Sequence, residues 1–266
     1  MSDRYRVAAV EKALAVLDIF GESPHHFTLG ELTTRTGLSS NQTFRLLQTL
    51  TASGWLRCAP GSRLYSLGFR PFGLVHALLH GDELVVAGRE PLQWAFDQTG
   101  ETVAILAFDA TSSTICVDVR ESSHPLMVAQ SLGARFPETH SGAASRVFLA
   151  AKTSDELDLY FAANAPLDRM TPWTIVDLDE LRADLARVRE QGYAVSDQEV
   201  AVGMYGVAAP IFDRKNKVIA TITLAAPLLR AGPDERARHI FVITEAARRI
   251  STNLGSRAVQ AARNSA

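Results

Sequence analysis

Phe27-Thr28-Leu29-Gly30-Glu31-Leu32-Thr33-Thr34-Arg35-Thr36-Gly37-Leu38-Ser39-Ser40-Asn41-Gln42-Thr43-Phe44-Arg45-Leu46-Leu47 is the stretch that sets the fold of the N-terminal third. Thr28 with Glu31, and Ser39 with Gln42, are two capping boxes, each a hydroxyl residue followed three places later by Glu or Gln. Between them Gly37 offers the left-handed backbone that stops one helix and turns the chain. Leu29, Leu32, Leu38, Leu46 and Leu50 recur where two short crossed helices share a core. The pattern predicts a helix-turn-helix. Ser39 caps its second helix, which presents Ser40, Asn41, Gln42, Thr43 and Arg45 to phosphates and base edges of double-stranded DNA. An ordinary helical hairpin in a globular core would show the same spacing, so the flanks carry the decision.

Downstream, Gly54-Trp55-Leu56-Arg57-Cys58 reads as a strand, Ala59-Pro60-Gly61-Ser62 as a turn, and Arg63-Leu64-Tyr65-Ser66-Leu67-Gly68 as the returning strand. A hairpin directly after the second helix makes a wing. Arg57, Arg63 and Tyr65 on it suit phosphates or a neighbouring groove, although Tyr65 serves equally as a packing anchor beneath the wing. Upstream, Val7, Val10, Ala13, Leu14, Leu17 and Phe20 keep helical spacing and predict a first helix roofing the small core. His25-His26 reads as a solvated loop. Charge agrees. Residues 1–75 hold eight Lys and Arg against five Asp and Glu, a net +3, while the remainder holds 19 against 24, a net −5. The basic end therefore falls on the predicted reading head, and the absence of an overall basic composition excludes a nonspecific chromatin-type binder.

The chain's 266 residues, 47% hydrophobic and 21% charged, are enough for two domains with their own cores. Three segments are expected: a winged helix-turn-helix over 7–69, a linker helix over 70–83, and an α+β domain over 84–260. The linker's Leu74, Val75, Leu78 and Leu79 form an apolar stripe that either packs on its own domain or pairs with a second copy; DNA-reading winged helices work in pairs, which favours the second. The tail Ala258–Ala266 is read as frayed. No membrane-length apolar run and no leader-like apolar start appear. Two lone cysteines, Cys58 and Cys116, point to a reducing setting, the cytoplasm.

Beyond the linker, Leu84–Phe96 fits an amphipathic helix. Thr102–Phe108 and Thr114–Arg120 read as a β-hairpin joined by Asp109–Ser113, with Leu126–Leu132 as a third strand. Helices are expected over Ser141–Ala151, Asp155–Ala163 and Leu178–Gln191. Strands follow over Met204–Phe212 and Lys217–Ala225, and a closing helix starts at Pro233-Asp234-Glu235. Antiparallel strands flanked by helices make an α+β sensor-like domain. Small residues Gly142, Ala143, Ala144 and Ser145 open the Ser141 helix. They either let an anion approach free amides or simply permit tight packing.

Enzyme chemistry finds little support. His140-Ser141 are sequence neighbours, a poor geometry for base and nucleophile, and no Gly-x-Ser-x-Gly elbow exists to suggest a hydrolase. His124 and His140 lack metal-ligand spacing, so no metal and no cofactor are expected. A sensor acting through protein contacts alone is the other reading, and the wing arginines speak against it.

Over nearly its full length the chain resembles the IclR family of bacterial transcription regulators. The resemblance rests on Arg45-Leu46-Leu47, Gly54-Trp55-Leu56, Tyr65-Ser66-Leu67-Gly68, Gly192-Tyr193-Ala194 through Asp197 and Glu199, Gly203, and Ala208-Ala209-Pro210-Ile211-Phe212-Asp213. It implies a GAF-like effector domain, a homodimer or dimer of dimers on a palindromic operator, and a small metabolite, commonly a carboxylic acid. It further implies a pocket built from Gly142, Ala143, Ala144, Ser196, Met204, Gly206 and Thr223, walled by Val128 and Phe136. This chain departs from the family at Ser145-Arg146, where relatives show Gly-Lys, and at Ser196, where some place an acid.

Overall fold

The computed structural model describes residues 6–21, 23–108, 113–137 and 140–256. Packing separates the chain into two units, Met1–His80 and Gly81–Ala266. The expected hairpin turn over Asp109–Ser113 and the tail from Ala258 fall almost wholly outside the described residues.

In the first unit α1 (Ala8–Ile19), α2 (Leu29–Thr36) and α3 (Ser40–Ala52) pack with a three-stranded sheet. Its strands are β1 (His26–Thr28), β2 (Leu56–Cys58) and β3 (Leu64–Leu67), in the order β1-β3-β2. Both capping boxes form: Thr28 Oγ1 accepts from Glu31 N and Ser39 Oγ from Gln42 N, each at 3.3 Å. The backbone hydrogen bond from Thr28 also holds the Glu31 carboxyl below the usual range. Gly37 ends α2 at φ 68°. Val16, Phe20, Phe27, Leu32, Leu47, Leu50, Leu56 and Tyr65 fill one core. His26 corrects the loop expected there, since it pairs with Ser66 across β1 and β3. Burying Phe27 requires this pairing, because its neighbouring amides then find partners in β3. Next comes α4 (Arg70–Gly81), none of whose side chains is buried.

The second unit is built on a six-stranded antiparallel sheet, β6-β5-β4-β9-β8-β7. Its strands are β4 (Thr102–Phe108), β5 (Ser113–Arg120), β6 (Arg135–Pro137), β7 (Ala194–Asp197), β8 (Met204–Phe212) and β9 (Val218–Pro227). Helices α5 (Glu83–Thr99) and α9 (Pro233–Asn253) cover one face; α6 (Ala143–Ala150), α7 (Ser154–Asn164) and α8 (Leu178–Gln191) belong to the other side. Strand alternation assigns the layers. Along β8, Tyr205, Val207, Ala209 and Ile211 enter the core with α5 and α9, while Ala208 enters the core with α6.

Two expectations are corrected. Leu126–Leu132 is irregular rather than a strand, and β6 lies later, pairing Thr114 with Phe136. Gly133, at φ 77°, and Ala134 turn the chain back onto Cys116, whose N and O bond to Ala134 O and Gly133 N. Gly133 therefore provides the reversal that the β-rich composition of 126–132 concealed. The second correction is β7, a short edge strand absent from the pattern reading.

Gly68 closes the wing by donating to Trp55 O at 2.7 Å. A Cβ at this position would stand 2.2 Å from Gly54 O, a backbone atom that cannot swing aside. Gly68→Ala should destabilise the first unit by about 1–3 kcal/mol, as overpacking does. Trp55 fluorescence during denaturant unfolding measures this, and an unchanged midpoint for that unit would refute it.

Candidate functional site

Two surfaces gather the residues singled out by sequence, one in each unit. In the first unit, Ser39, Ser40, Asn41, Gln42 and Arg45 are exposed at the start and outer face of α3, and Arg57 and Arg63 are exposed on the wing. The capping box fixes this arrangement, because Ser39 turns the chain into α3 with its first turn free of the core. Gln42 Oε1 is occupied by Ser39, accepting from its N and Oγ at 3.4 and 3.3 Å, which leaves the amide nitrogen as its outward group. Arg57 Nε donates to Ser66 Oγ at 3.1 Å and the guanidinium lies over the Phe69 ring, 4.9 Å from its centroid.

Thr43 and Tyr65 do not belong to this surface. Thr43 is 0% exposed and its Oγ1 donates to Ser39 O at 3.2 Å. Thr43 lies four and seven residues before Leu47 and Leu50, so it shares the buried face of α3 with them. Tyr65 is buried in the core, the anchoring alternative. Pattern reading also passed over Phe44 and Gln48. Phe44 is 47% exposed on α3, beside Asn41 and Arg45, where a core residue would be covered.

In the second unit a cavity of about 370 Å³ lies between the sheet and α6. Val128, Phe136, Gly142, Ala143, Ala144, Ser196, Met204, Gly206 and Thr223 all line it. Leu106, Thr114, Gln130, Met170 and Val200, which the sequence did not single out, line it too, as does Ser145 of the small-residue helix start. Apart from Ser145, on α6, they come from irregular segments or from the strand face whose direction only pairing reveals. None of the described lining residues carries a charge.

Gly142 is the N-cap of α6, with extended backbone and no side-chain cap. The first helical bond runs from Arg146 N to Gly142 O at 2.9 Å, so the amides of Ala143, Ala144 and Ser145 precede any intrahelical partner. Polar groups opposite are already committed as donors. Ser196 Oγ donates to Ser141 O at 3.0 Å and Thr223 Oγ1 to Val207 O at 3.1 Å. Their remaining lone pairs accept. Ser196 Oγ thus has lone pairs, but no free proton, to offer the cavity. Burial is the largest influence on the neighbouring His140 and holds its imidazole below the ordinary value.

One buried cation secures these walls. Arg146, on α6, donates to Asp184 Oδ2 at 2.9 Å, to Glu199 Oε1 at 2.7 Å and to Val195 O. Thr171 and Thr174 tie the segment carrying Met170 to the same place, donating to Gln198 O at 2.8 Å and Glu199 O at 2.7 Å. Desolvation nevertheless pushes the Glu199 carboxyl up from its usual range. Among the described residues no cluster of three or more His, Cys, Asp or Glu is placed to hold a metal ion, and no helix is long and apolar enough to cross a membrane.

Known proteins match along the same lines. The model of the IclR helix-turn-helix domain matches residues 9–60, and that of the bacterial transcriptional regulator IclR C-terminal domain matches residues 76–252. The HTH-type transcriptional repressor AllR of Salmonella typhi is 28% identical over 247 residues, covering 93% of this chain and 90% of that protein. An IclR transcriptional regulator from Alicyclobacillus acidocaldarius superposes with a TM-score of 0.86 at 26% identity, covering 94% of this chain and 100% of that one. An IclR homolog from Microbacterium hydrocarbonoxydans, complexed with 4-hydroxybenzoate, has the same fold at a TM-score of 0.81 and 20% identity, covering 93% and 99% of the two chains.

Arg146→Met should destabilise the second unit by about 3–5 kcal/mol, because it strands the buried Glu199 carboxylate, whereas Asp184 keeps its ion pair with Arg187. Adding Glu199→Gln should recover part of that loss. Denaturant midpoints of the single and double variants give the comparison; equal midpoints would show that Glu199 is not the stranded charge.

Proposed function

The chain belongs to the IclR family of DNA-binding transcriptional regulators, and on that premise we propose that a small monocarboxylic acid controls its grip on a specific operator. Two reading heads of a homodimer, or of a dimer of dimers, would meet the two halves of a palindromic site. Asn41, Gln42 and Arg45 read base edges in the major groove, Ser40 holds a phosphate beside α3 while Ser39 serves as the cap that aims that turn, and Phe44 packs on a thymine methyl. Arg57 and Arg63 grip phosphates.

The observation that supports the acid is the uncharged cavity beneath the first turn of α6. A helix start carries roughly half a positive charge and free N–H groups, enough for one carboxylate and poorly matched to two. Val128, Phe136, Met204 and Leu106 suit an apolar body, and Ser196 and Thr223 accept from a hydroxyl on it. The volume agrees with sites of about 300–1,000 Å³ that take small molecules. The 4-hydroxybenzoate held by the Microbacterium homolog is of this chemical class. An effector alters operator affinity only if it binds one arrangement of the molecule better than another. The named relatives are regulators, and a hydrolase or a purely protein-contacting sensor has no comparable support.

Arg45→Ala should weaken operator binding by about 1–3 kcal/mol, whereas Arg57→Ala with Arg63→Ala should weaken all sequences alike and flatten the dependence on salt. Gel-shift titrations across salt concentrations measure both; parental affinity in a folded Arg45→Ala protein excludes that residue from the interface. For the cavity, calorimetric titration of the full chain with monocarboxylates, 4-hydroxybenzoate among them, should identify a binder. Ala144→Asp, which sets a carboxylate at the proposed anion site, should abolish its binding without unfolding the protein. Retained affinity would mean the acid lies elsewhere.

A further inference from the structure

His76 and His80 lie one turn apart on α4, and both are exposed. Their rings face one another with centroids 4.2 Å apart and a tilt of 37°. His80 Nδ1 lies 2.9 Å from His76 O. A carbonyl oxygen only accepts, so Nδ1 carries the proton and the neutral ring leaves Nε2 as a bare lone pair. Donation of the other ring nitrogen to a carbonyl is the arrangement that metal-binding histidines use to fix their tautomer. Two histidines at i and i+4 also share one helix face, the spacing that lets a single ion take both rings. An ion about 2.0–2.1 Å from each nitrogen in tetrahedral geometry needs donors roughly 3.3 Å apart, which asks the two rings to rotate about their side-chain bonds until their lone pairs converge.

We infer that His76 and His80 form a bidentate site for a divalent transition metal such as Zn²⁺ or Ni²⁺, with water completing the coordination. Imidazole donors select this class over Mg²⁺ or Ca²⁺, which prefer oxygen. The site has a consequence for the helix that carries it. Twelve residues with none buried form a marginal helix on their own terms. A chelate spanning one turn binds the helical conformer and not the extended one, so the ion shifts α4 toward helix. Metal availability thereby sets the stiffness of the segment joining the two sequence-defined domains, independently of any ligand in the cavity.

The test is calorimetric titration of Ni²⁺ and Zn²⁺ into the untagged, metal-stripped full chain, with chymotryptic cleavage at Phe72, Leu74 and Leu78 as a second readout. His76→Asn with His80→Asn should abolish this binding, because both protein ligands are removed. Each single substitution should lose most of that, because the chelate needs both rings. His25→Asn with His26→Asn, a control at the other exposed histidine pair, should leave the affinity unchanged. Metal should slow cleavage of the parent and not of the His76/His80 variant. Parental affinity in the His76/His80 variant, or no binding by the parent, overturns the site; cleavage indifferent to bound metal overturns the stiffening.

Discussion

Every residue of β8 has two sides to satisfy. Odd positions from Tyr205 to Ile211 fill the core under α5 and α9, and even positions from Met204 to Ala208 face α6. A slip of one residue against β9 would exchange the sets, driving Tyr205 into the cavity and Gly206 into the core. The register Gly206 with Ala225, and Ala208 with Thr223, is therefore fixed by packing on both faces. The cavity is a by-product of the same register: it opens where small residues Gly206, Ala225, Ala143 and Ala144 coincide on the α6 side.

Such an opening survives only if its walls are held from outside. Arg146 does this with a buried guanidinium that must find partners, and Asp184, Glu199 and Val195 O supply them from α8 and from the chain around β7. Another charge pair serves the opposite wall. Arg230 clasps Glu101, by Nε and by Nη2 at 2.8 Å, and donates to Leu126 O at 2.9 Å, anchoring the irregular segment that brings Val128 and Gln130 to the cavity. Glu101 is itself buried. Buried pairs of this kind add little net stability against apolar packing, but they forbid alternatives in which either charge stands alone. Their contribution is to the shape of the site.

The two candidate sites offer opposite chemistry. On α3 the chemistry is in exposed side chains, while the backbone is consumed by helix and cap. In the cavity the side chains are mostly inert and backbone amides at the start of α6 offer the donors. Ser196 and Thr223 turn their protons to carbonyls because buried hydroxyls take partners within the protein.

Local chemistry made the reading head legible in the sequence. Capping boxes at Thr28–Glu31 and Ser39–Gln42, the left-handed Gly37 and the hairpin around Gly61 act within a few residues, so their signals survive without tertiary information. The nine cavity residues were legible through family likeness, with only the small-residue helix start standing on physical grounds. Tertiary packing decided the rest. It rotated Thr43 under α3, paired His26 with Ser66, made 126–132 irregular and gave Leu106, Thr114 and Met170 a place in the cavity. Composition alone could not, because a β-branched or apolar residue satisfies a strand, a loop wall or a core equally, and only the partner across the sheet distinguishes them.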